Sequence, residues 1–195
     1  MKAGKLHVIC GPMYSGKTEE LLRLVRRSYY ADQNVLVIRP ETDTRDKDAA
    51  VLSRSGVYFP ATMVKDAYGI ADLFLNTGGT QGTIQVVAVD EAQFFDSMLG
   101  EVLDEIADMG VTVLVSGLDK DFAGRPFGPM DDLLVLADEV TKLTAICAVC
   151  KGEATRTQRL IDGRPARRSD PLVVIGGKED DVYEARCRVH HTVAD

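Results

Sequence analysis

Short runs of consecutive apolar residues alternate with longer amphipathic stretches over the first 143 positions of the chain. Apolar runs rich in valine and isoleucine are typical of strands that are covered on both faces of a sheet. The predicted strands are residues 6–10, 35–38, 86–89, 111–115 and 140–143. Because helical stretches separate them, we predict a mostly parallel sheet flanked by helices, with right-handed crossovers.

Two segments between these strands have helical periodicity. Residues 19–30 place an apolar stripe on one side and three arginines on the other. Apolar residues also recur at helical spacing between 96 and 109. The alternating pattern fades after residue 143, and the remaining segment holds three of the four cysteines and many arginines. We therefore predict a second, smaller unit from residue 144 to residue 195.

A phosphate-binding loop is predicted between the first strand and the first helix. Gly11-Pro12-Met13-Tyr14-Ser15-Gly16-Lys17-Thr18 completes the pattern G-x-x-x-x-G-K-[ST]. In such a loop the backbone N–H groups and the helix N-terminus converge on phosphate. Lys17 would supply charge for the β and γ phosphates, and the Thr18 hydroxyl is placed to bind Mg²⁺. The flanking strand and helix disfavour the alternative of an ordinary glycine-rich turn, so we predict an α/β P-loop NTPase fold of the RecA-like kind.

Two carboxylates follow the apolar strand at 86–89. Asp90 is expected to hold the Mg²⁺ shell, because the carboxyl ends of parallel strands point toward the phosphates. Glu91 would then lie near the γ-phosphate and could take a proton from the attacking group. Attack by water would make the protein an ATPase, and attack by a substrate hydroxyl would make it a kinase. A solvated acidic strand end is the structural alternative.

The cysteines of the second unit form a metal-ligand pattern. Cys147-x-x-Cys150 and Cys187-x-x-His190 have the spacing of a closed tetrahedral Zn²⁺ site, and a site with four protein ligands is structural. A disulfide or redox pair is the alternative, and His191 could replace His190 as the fourth ligand. Cys10, at the end of the first strand, is expected to be a core residue.

Aromatic and apolar residues follow the two central strands. They are either core residues or the walls of a slot for a flat ring beside Glu91: Phe94, Phe95, Leu118, Phe122 and Phe127.

Composition narrows the classes of function. The chain has 195 residues, 45% of them hydrophobic and 27% charged, which is ordinary for a soluble globular protein. No apolar stretch approaches a membrane span and no secretory signal precedes the first strand, so we expect a cytoplasmic protein without a membrane partner.

The net charge of −7 disfavours nucleic-acid binding. Basic residues cluster in the second unit, either as a solvated face or as a phosphate-neutralising loop: Arg156, Arg159, Arg164, Arg167 and Arg168.

Taken together, these motifs resemble those of the zinc-containing (type II) thymidine kinases over nearly the whole chain. Beyond the P-loop and the zinc pairs, the similar segments are Asp43-Thr44-Arg45, Asp90-Glu91-Ala92-Gln93-Phe94-Phe95, Gly117-Leu118-Asp119-Lys120-Asp121-Phe122, Pro126-Phe127-Gly128, Ala154-Thr155-Arg156-Thr157 and Val174-Ile175-Gly176-Gly177.

The resemblance implies transfer of the γ-phosphoryl group of ATP to the 5′-hydroxyl of thymidine, with Mg²⁺ and with Glu91 as catalytic base. It implies that Asp43, Arg45, Asp90 and Gln93 join the P-loop in binding ATP. The implied nucleoside pocket consists of Met13, Phe94, Leu118, Phe122, Thr157, Leu172, Val173, Val174, Ile175, Gly176 and Tyr183. Of these, the segment 172–176 would recognise the base through its backbone groups.

The resemblance also implies a long loop, called here the lasso (residues 151–186), which the zinc anchors and which closes over the nucleoside. It further implies a homotetramer, inhibition by thymidine triphosphate and the use of deoxyuridine as a second substrate. The expected division is a P-loop domain at 1–143 and a zinc-binding lasso domain at 144–195. Three other hypotheses are a nucleic-acid-dependent ATPase with a zinc ribbon, a nucleoside monophosphate kinase with a zinc-bearing lid, and a non-catalytic zinc scaffold.

Overall fold

The structure, a computed structural model, describes residues 4–42, 50–52, 58–172 and 181–195. Its strands are β1 (Lys5–Cys10), β2 (Val35–Pro40), β3 (Ala50–Leu52), β4 (Tyr58–Pro60), β5 (Thr62–Val64), β6 (Val86–Val89), β7 (Thr112–Gly117), β8 (Glu139–Lys142), β9 (Ala145–Ile146), β10 (Glu153–Ala154), β11 (Arg156–Ile161), β12 (Arg164–Pro165) and β13 (Asp181–Arg186). Its α-helices are α1 (Lys17–Tyr30), α2 (Ala67–Asn76), α3 (Leu99–Asp108) and α4 (Met130–Leu136). Single 3₁₀ turns lie at Gly79–Gln81 and Ala92–Phe94.

In the described part of the chain the main sheet has six strands in the order β5-β2-β6-β7-β1-β8. Every neighbouring pair in it is parallel. The prediction of a mostly parallel α/β sheet is thus confirmed, and each of the five predicted strands is present. The edge strand β5 was not predicted. Its three residues are too few to form a recognisable apolar run, and their strand conformation depends on pairing with β2.

Helices cover the main sheet on both faces. On one face α1 packs Leu21, Leu22 and Val25 against alternate residues of the strands. On the other face α2, α3 and α4 pack their apolar sides, and the largest core cluster forms there. Strands buried on both faces must be apolar at consecutive positions, and this is the pattern that the sequence shows. Cys10 lies in this core with no exposed surface, as predicted.

After β8 the chain forms short antiparallel sheets instead of parallel ones. One pairs β9 with β10, and another has the order β12-β11-β13. A separate small core cluster forms between them from Ala145, Cys147, Ala154 and Ala185. The two strands β3 and β4 form a further antiparallel pair.

No helix in the described ranges combines the length and the apolar character that crossing a membrane requires.

Candidate active site and metal cluster

The loop between β1 and α1 depends on two glycines. Gly11 has a φ angle of 149°, and a Cβ atom there would lie 2.4 Å from the carbonyl oxygen of Leu143. Gly16 has a φ angle of 82° and immediately precedes the first residue of α1. Because side chains disfavour both conformations, glycine at these positions allows the tight path from the strand into the helix.

Two side chains of the P-loop donate hydrogen bonds to the same carbonyl group. The Lys17 ammonium and the Ser15 hydroxyl each lie 2.9 Å from the carbonyl oxygen of Pro12. The first turn of α1 follows directly, so the positive end of the helix and the Lys17 charge are at the same place. This arrangement is suited to an anionic phosphate group.

Asp90 follows β6 and is a buried carboxylate, with 4% of its surface exposed. Its Oδ1 atom accepts from the Ser116 hydroxyl and, at 3.0 Å, from the Glu91 N–H group. Its Oδ2 atom accepts from the Thr18 hydroxyl at 3.3 Å. Burial, together with the negative charge of Glu91, raises the pKa of Asp90 to about 6. A hydroxyl and a carboxylate in contact are oxygen donors of the kind that Mg²⁺ prefers.

Glu91 is held in a left-handed backbone conformation, with a φ angle of 54°. The side-chain amide of Gln93 donates to Glu91 Oε2, and its oxygen accepts from the Leu118 N–H group at 2.9 Å. Gln93 is 98% buried (2% exposed), so this clamp lies inside the protein. Gln93, which was predicted to bind ATP, is joined through its side-chain amide to Glu91 and to the chain after β7.

Beside Glu91 lies a cavity of about 140 Å³ with mostly apolar walls. Its lining consists of Met13, Glu91, Phe94, Leu118, Lys120, Asp121, Phe122, Phe127, Leu172 and Tyr183. The rings of Phe94 and Phe127 meet edge to face, with centroids 5.6 Å apart and planes at 85°. Four residues of the predicted aromatic group therefore line the cavity, whereas Phe95 packs in the main core.

The segment after residue 143 contacts the P-loop directly. The Met13 N–H group donates to the Thr157 hydroxyl at 3.0 Å, and the Tyr14 hydroxyl donates to the Tyr183 carbonyl oxygen at 2.9 Å. Thr157 thus lies next to the cavity wall through Met13 instead of lining the cavity itself. These bonds join the P-loop to the strands β11 and β13 beside the cavity.

Six of the predicted site residues lie outside the described residues: Asp43, Arg45, Val173, Val174, Ile175 and Gly176. Leu172, which begins the predicted base-recognition segment, does line the cavity.

The structure adds polar residues that the sequence analysis did not select. Ser116 holds Asp90, while Lys120 and Asp121 line the cavity. Lys120 and Lys142 both pair with the buried carboxylate of Asp119, and although burial acts in the opposite direction, these two lysines lower the pKa of Asp119. Ser116 lies near the carboxyl end of β7, and Asp119, Lys120 and Asp121 follow that strand. Their position at the end of the sheet that meets the site was the available signal.

The predicted metal ligands come together. The ligand atoms of Cys147, Cys150, Cys187 and His190 all lie within 4.8 Å of one another. Cys187 Sγ is 3.1 Å from His190 Nδ1, and Cys150 Sγ is 3.8 Å from Cys187 Sγ. All four cysteines of the chain are free thiols, so the disulfide alternative is not observed. Three thiolates and an imidazole are a donor set that can hold Zn²⁺ with no open position.

His191 does not belong to this cluster. Its Nε2 atom lies 2.8 Å from the carbonyl oxygen of Phe122, a residue of the cavity wall. The geometry therefore favours His190 over His191 as the fourth member of the cluster.

The Cys147 thiol has a lowered pKa. Burial acts to raise this pKa, but backbone N–H groups of Cys150, Cys187 and Val149 lower it to about 6. A lowered pKa favours the thiolate form that binds metal.

The parallel sheet, the P-loop at the carboxyl end of β1 and the Asp90 carboxylate beside it define a P-loop nucleoside-triphosphate-binding protein. The family model of thymidine kinase matches residues 4–191. A curated thymidine kinase from Coprothermobacter proteolyticus is 50% identical over 190 residues, which cover 97% of this chain and 91% of that protein. The chain belongs to the thymidine kinase family, and its Cys/His cluster supports the zinc-containing type.

One solved structure also aligns with the chain. The genome packaging NTPase B204 from Sulfolobus turreted icosahedral virus 2, in complex with ATP-gammaS, aligns with a TM-score of 0.49 and 14% identity. The alignment covers 73% of this chain and 75% of that one. The family assignment does not depend on this similarity.

We expect Asp90→Asn to stabilise the protein in the absence of nucleotide and Mg²⁺, increasingly so as the pH rises. The folded-state pKa of Asp90, about 6, lies above its ordinary value of 3.8. The wild type therefore loses stability as pH rises through 6, whereas asparagine does not titrate. At pH 7.5 the variant should melt roughly 2–6 °C higher, and this gain should shrink toward pH 5. Thermal unfolding of both proteins across this range tests the expectation, and a gain that is independent of pH contradicts it.

We expect His190→Gln, but not His191→Gln, to lower the bound zinc. The first change removes a ligand of the cluster, whereas the second removes only a hydrogen bond to Phe122. Zinc content per chain, measured by mass spectrometry on the purified variants, should fall for His190→Gln and stay at the wild-type value for His191→Gln. The reverse order would show that His191 is the fourth ligand.

Proposed function

We propose that the protein transfers the γ-phosphoryl group of ATP to the 5′-hydroxyl of thymidine, with Glu91 as the general base. The observation that carries this proposal is the position of Glu91. It lines the apolar cavity and directly follows Asp90, whose carboxylate contacts Thr18 of the P-loop. A base between a phosphate loop and a ring-sized cavity is suited to activate a hydroxyl of the bound molecule.

The phosphates of ATP would lie on the P-loop, against its backbone N–H groups and the Lys17 ammonium. Thr18 and Asp90 would hold Mg²⁺, which neutralises charge on the β and γ phosphates when it is bound with ATP. Asp43 and Arg45, which lie outside the described residues, are also proposed to bind ATP on the side of its phosphates. Gln93 supports the site from within by fixing the Glu91 carboxylate.

Thymidine would occupy the cavity, with its flat ring between the side chains that line it. Phe94 and Phe127 form one corner, and Leu172 and Tyr183 come from the segment after residue 143. Closure by this segment would exclude water, which otherwise competes with the nucleoside hydroxyl for the phosphoryl group. We include the segment 173–176 in the proposal as the part that recognises the base through backbone groups.

Zn²⁺ is proposed as a structural ion held by Cys147, Cys150, Cys187 and His190. These ligands flank the lasso at both ends, so a bound ion would fix where the loop begins and returns. The separate small core around Cys147 supports a division into a P-loop domain at 1–143 and a lasso domain at 144–195.

Three further properties are part of the proposal and come from the family resemblance. They are the use of deoxyuridine, inhibition by thymidine triphosphate and assembly as a homotetramer. A cytoplasmic location is also part of the proposal.

The first experiment is an assay of ADP production from Mg-ATP with no acceptor, and with thymidine, deoxycytidine, thymidine monophosphate or single-stranded DNA. We expect that, of these acceptors, only thymidine strongly stimulates ADP production. Stimulation by the monophosphate would indicate a nucleoside monophosphate kinase, and stimulation by DNA would indicate a motor ATPase. Either result without a response to thymidine would overturn the proposed reaction.

We expect Glu91→Gln to lower kcat by roughly 10²- to 10⁴-fold, because the amide cannot accept the proton of the 5′-hydroxyl. The shape of the side chain is nearly unchanged, so thymidine should bind with similar affinity in calorimetry. Glu101→Gln, an exposed position on α3, is the matched control and should have the kcat of the wild type. Near-normal turnover of Glu91→Gln would rule out this residue as the base.

A further inference from the structure

Arg159 is an arginine buried in the wall of the candidate nucleoside site. It lies on β11 and pairs across the strands with Tyr183 of β13. Only 3% of its surface is exposed, which is unusual for an arginine, because the charge is costly to bury without suitable contacts. Its contacts therefore indicate what the residue does.

The guanidinium of Arg159 packs against two rings of the cavity wall. Its Cζ atom is 5.5 Å from the ring centroid of Phe122 and 6.0 Å from that of Tyr183. Both distances are within the range of cation–π attraction. Its Nη1 atom donates to the carbonyl oxygen of Pro171 at 2.6 Å. The next residue along the chain, Leu172, also lines the cavity.

These contacts join three parts of the chain that are far apart in sequence. Phe122 follows β7 of the main sheet, Tyr183 belongs to β13, and Leu172 follows the loop after β12. We propose that Arg159 is a positioning residue that holds these three walls of the nucleoside pocket at the distance that a flat base requires. This inference rests on the proposed function, because it assumes that the cavity takes the nucleoside.

The chemistry of arginine fits this role better than that of lysine. A planar guanidinium can stack on aromatic faces while it donates in its own plane to a carbonyl group. A lysine would keep the charge, but its single ammonium cannot make the stacked contacts and the directed bond together. The arginines of this segment were predicted to form either a solvated face or a phosphate-neutralising loop, and the contacts of Arg159 described above are with the cavity wall.

We expect Arg159→Lys to raise the KM for thymidine roughly 10- to 100-fold, with the KM for ATP unchanged and kcat within a few-fold of the wild type. Calorimetry of thymidine binding should show a matching loss of affinity. Arg164→Lys is the matched control, since Arg164 is exposed on the neighbouring strand β12 of the same sheet. It should retain the wild-type values.

Zinc content and the thermal unfolding midpoint of each variant separate positioning from a loss of structure. If Arg159→Lys keeps its zinc and leaves the KM for thymidine unchanged, the inference is overturned. Equal losses for thymidine and ATP together with a loss of zinc would also overturn it, since they would indicate a general structural role. A wild-type protein that thymidine does not stimulate would instead refute the proposed function, and the inference with it.

Discussion

Parallel pairing of β6, β7 and β1 is the constraint on which the rest of the site depends. Because the three strands are neighbours and run in the same direction, their carboxyl ends meet at one edge of the sheet. The P-loop leaves β1 there, Asp90 and Glu91 leave β6, and Leu118 leaves β7. The side chains that contact one another across this edge are supplied by segments about 70 and 25 residues apart, as the Thr18–Asp90 and Gln93–Leu118 bonds show. A doubly covered sheet gives these segments fixed positions.

The polar groups at this edge of the main sheet can be buried because they form hydrogen bonds with one another. Asp90 has little exposed surface, yet it accepts bonds from Thr18, Ser116 and the backbone of Glu91. Burial and the negative charge of Glu91 outweigh these bonds and raise the pKa of Asp90. The Asp90 carboxylate is therefore in an electrostatically unfavourable environment, and a cation bound beside it would relieve that cost. Mg²⁺ held by Thr18 and Asp90, as proposed above, would have this effect.

Sequence patterns predicted the parts of this protein that local chemistry determines. The five apolar strands, the P-loop and the Cys/His pairs each depend on residues close together in the chain, so their spacing carried the information. β5 was missed because a three-residue strand exists only through its partner. Ser116 and the burial of Arg159 were missed for a similar reason, since the contact of Ser116 spans 26 residues and those of Arg159 span 12 and 37 residues. The sequence could not distinguish His190 from His191, because the difference lies in the hydrogen bond that His191 makes with the backbone of Phe122.

Contacts between the metal cluster, the cavity and the P-loop form a continuous chain. His191 follows a ligand of the cluster and bonds to the backbone of Phe122, whose ring contacts Arg159. Arg159 contacts the ring of Tyr183, and the carbonyl group of Tyr183 accepts from Tyr14 of the P-loop. The Cys/His cluster is therefore connected to the P-loop through the walls of the cavity. Arg159 and Tyr183 are partners in the register of β11 and β13, and β13 ends directly before Cys187. A metal bound at Cys187, as proposed above, would therefore also help to fix this side of the pocket.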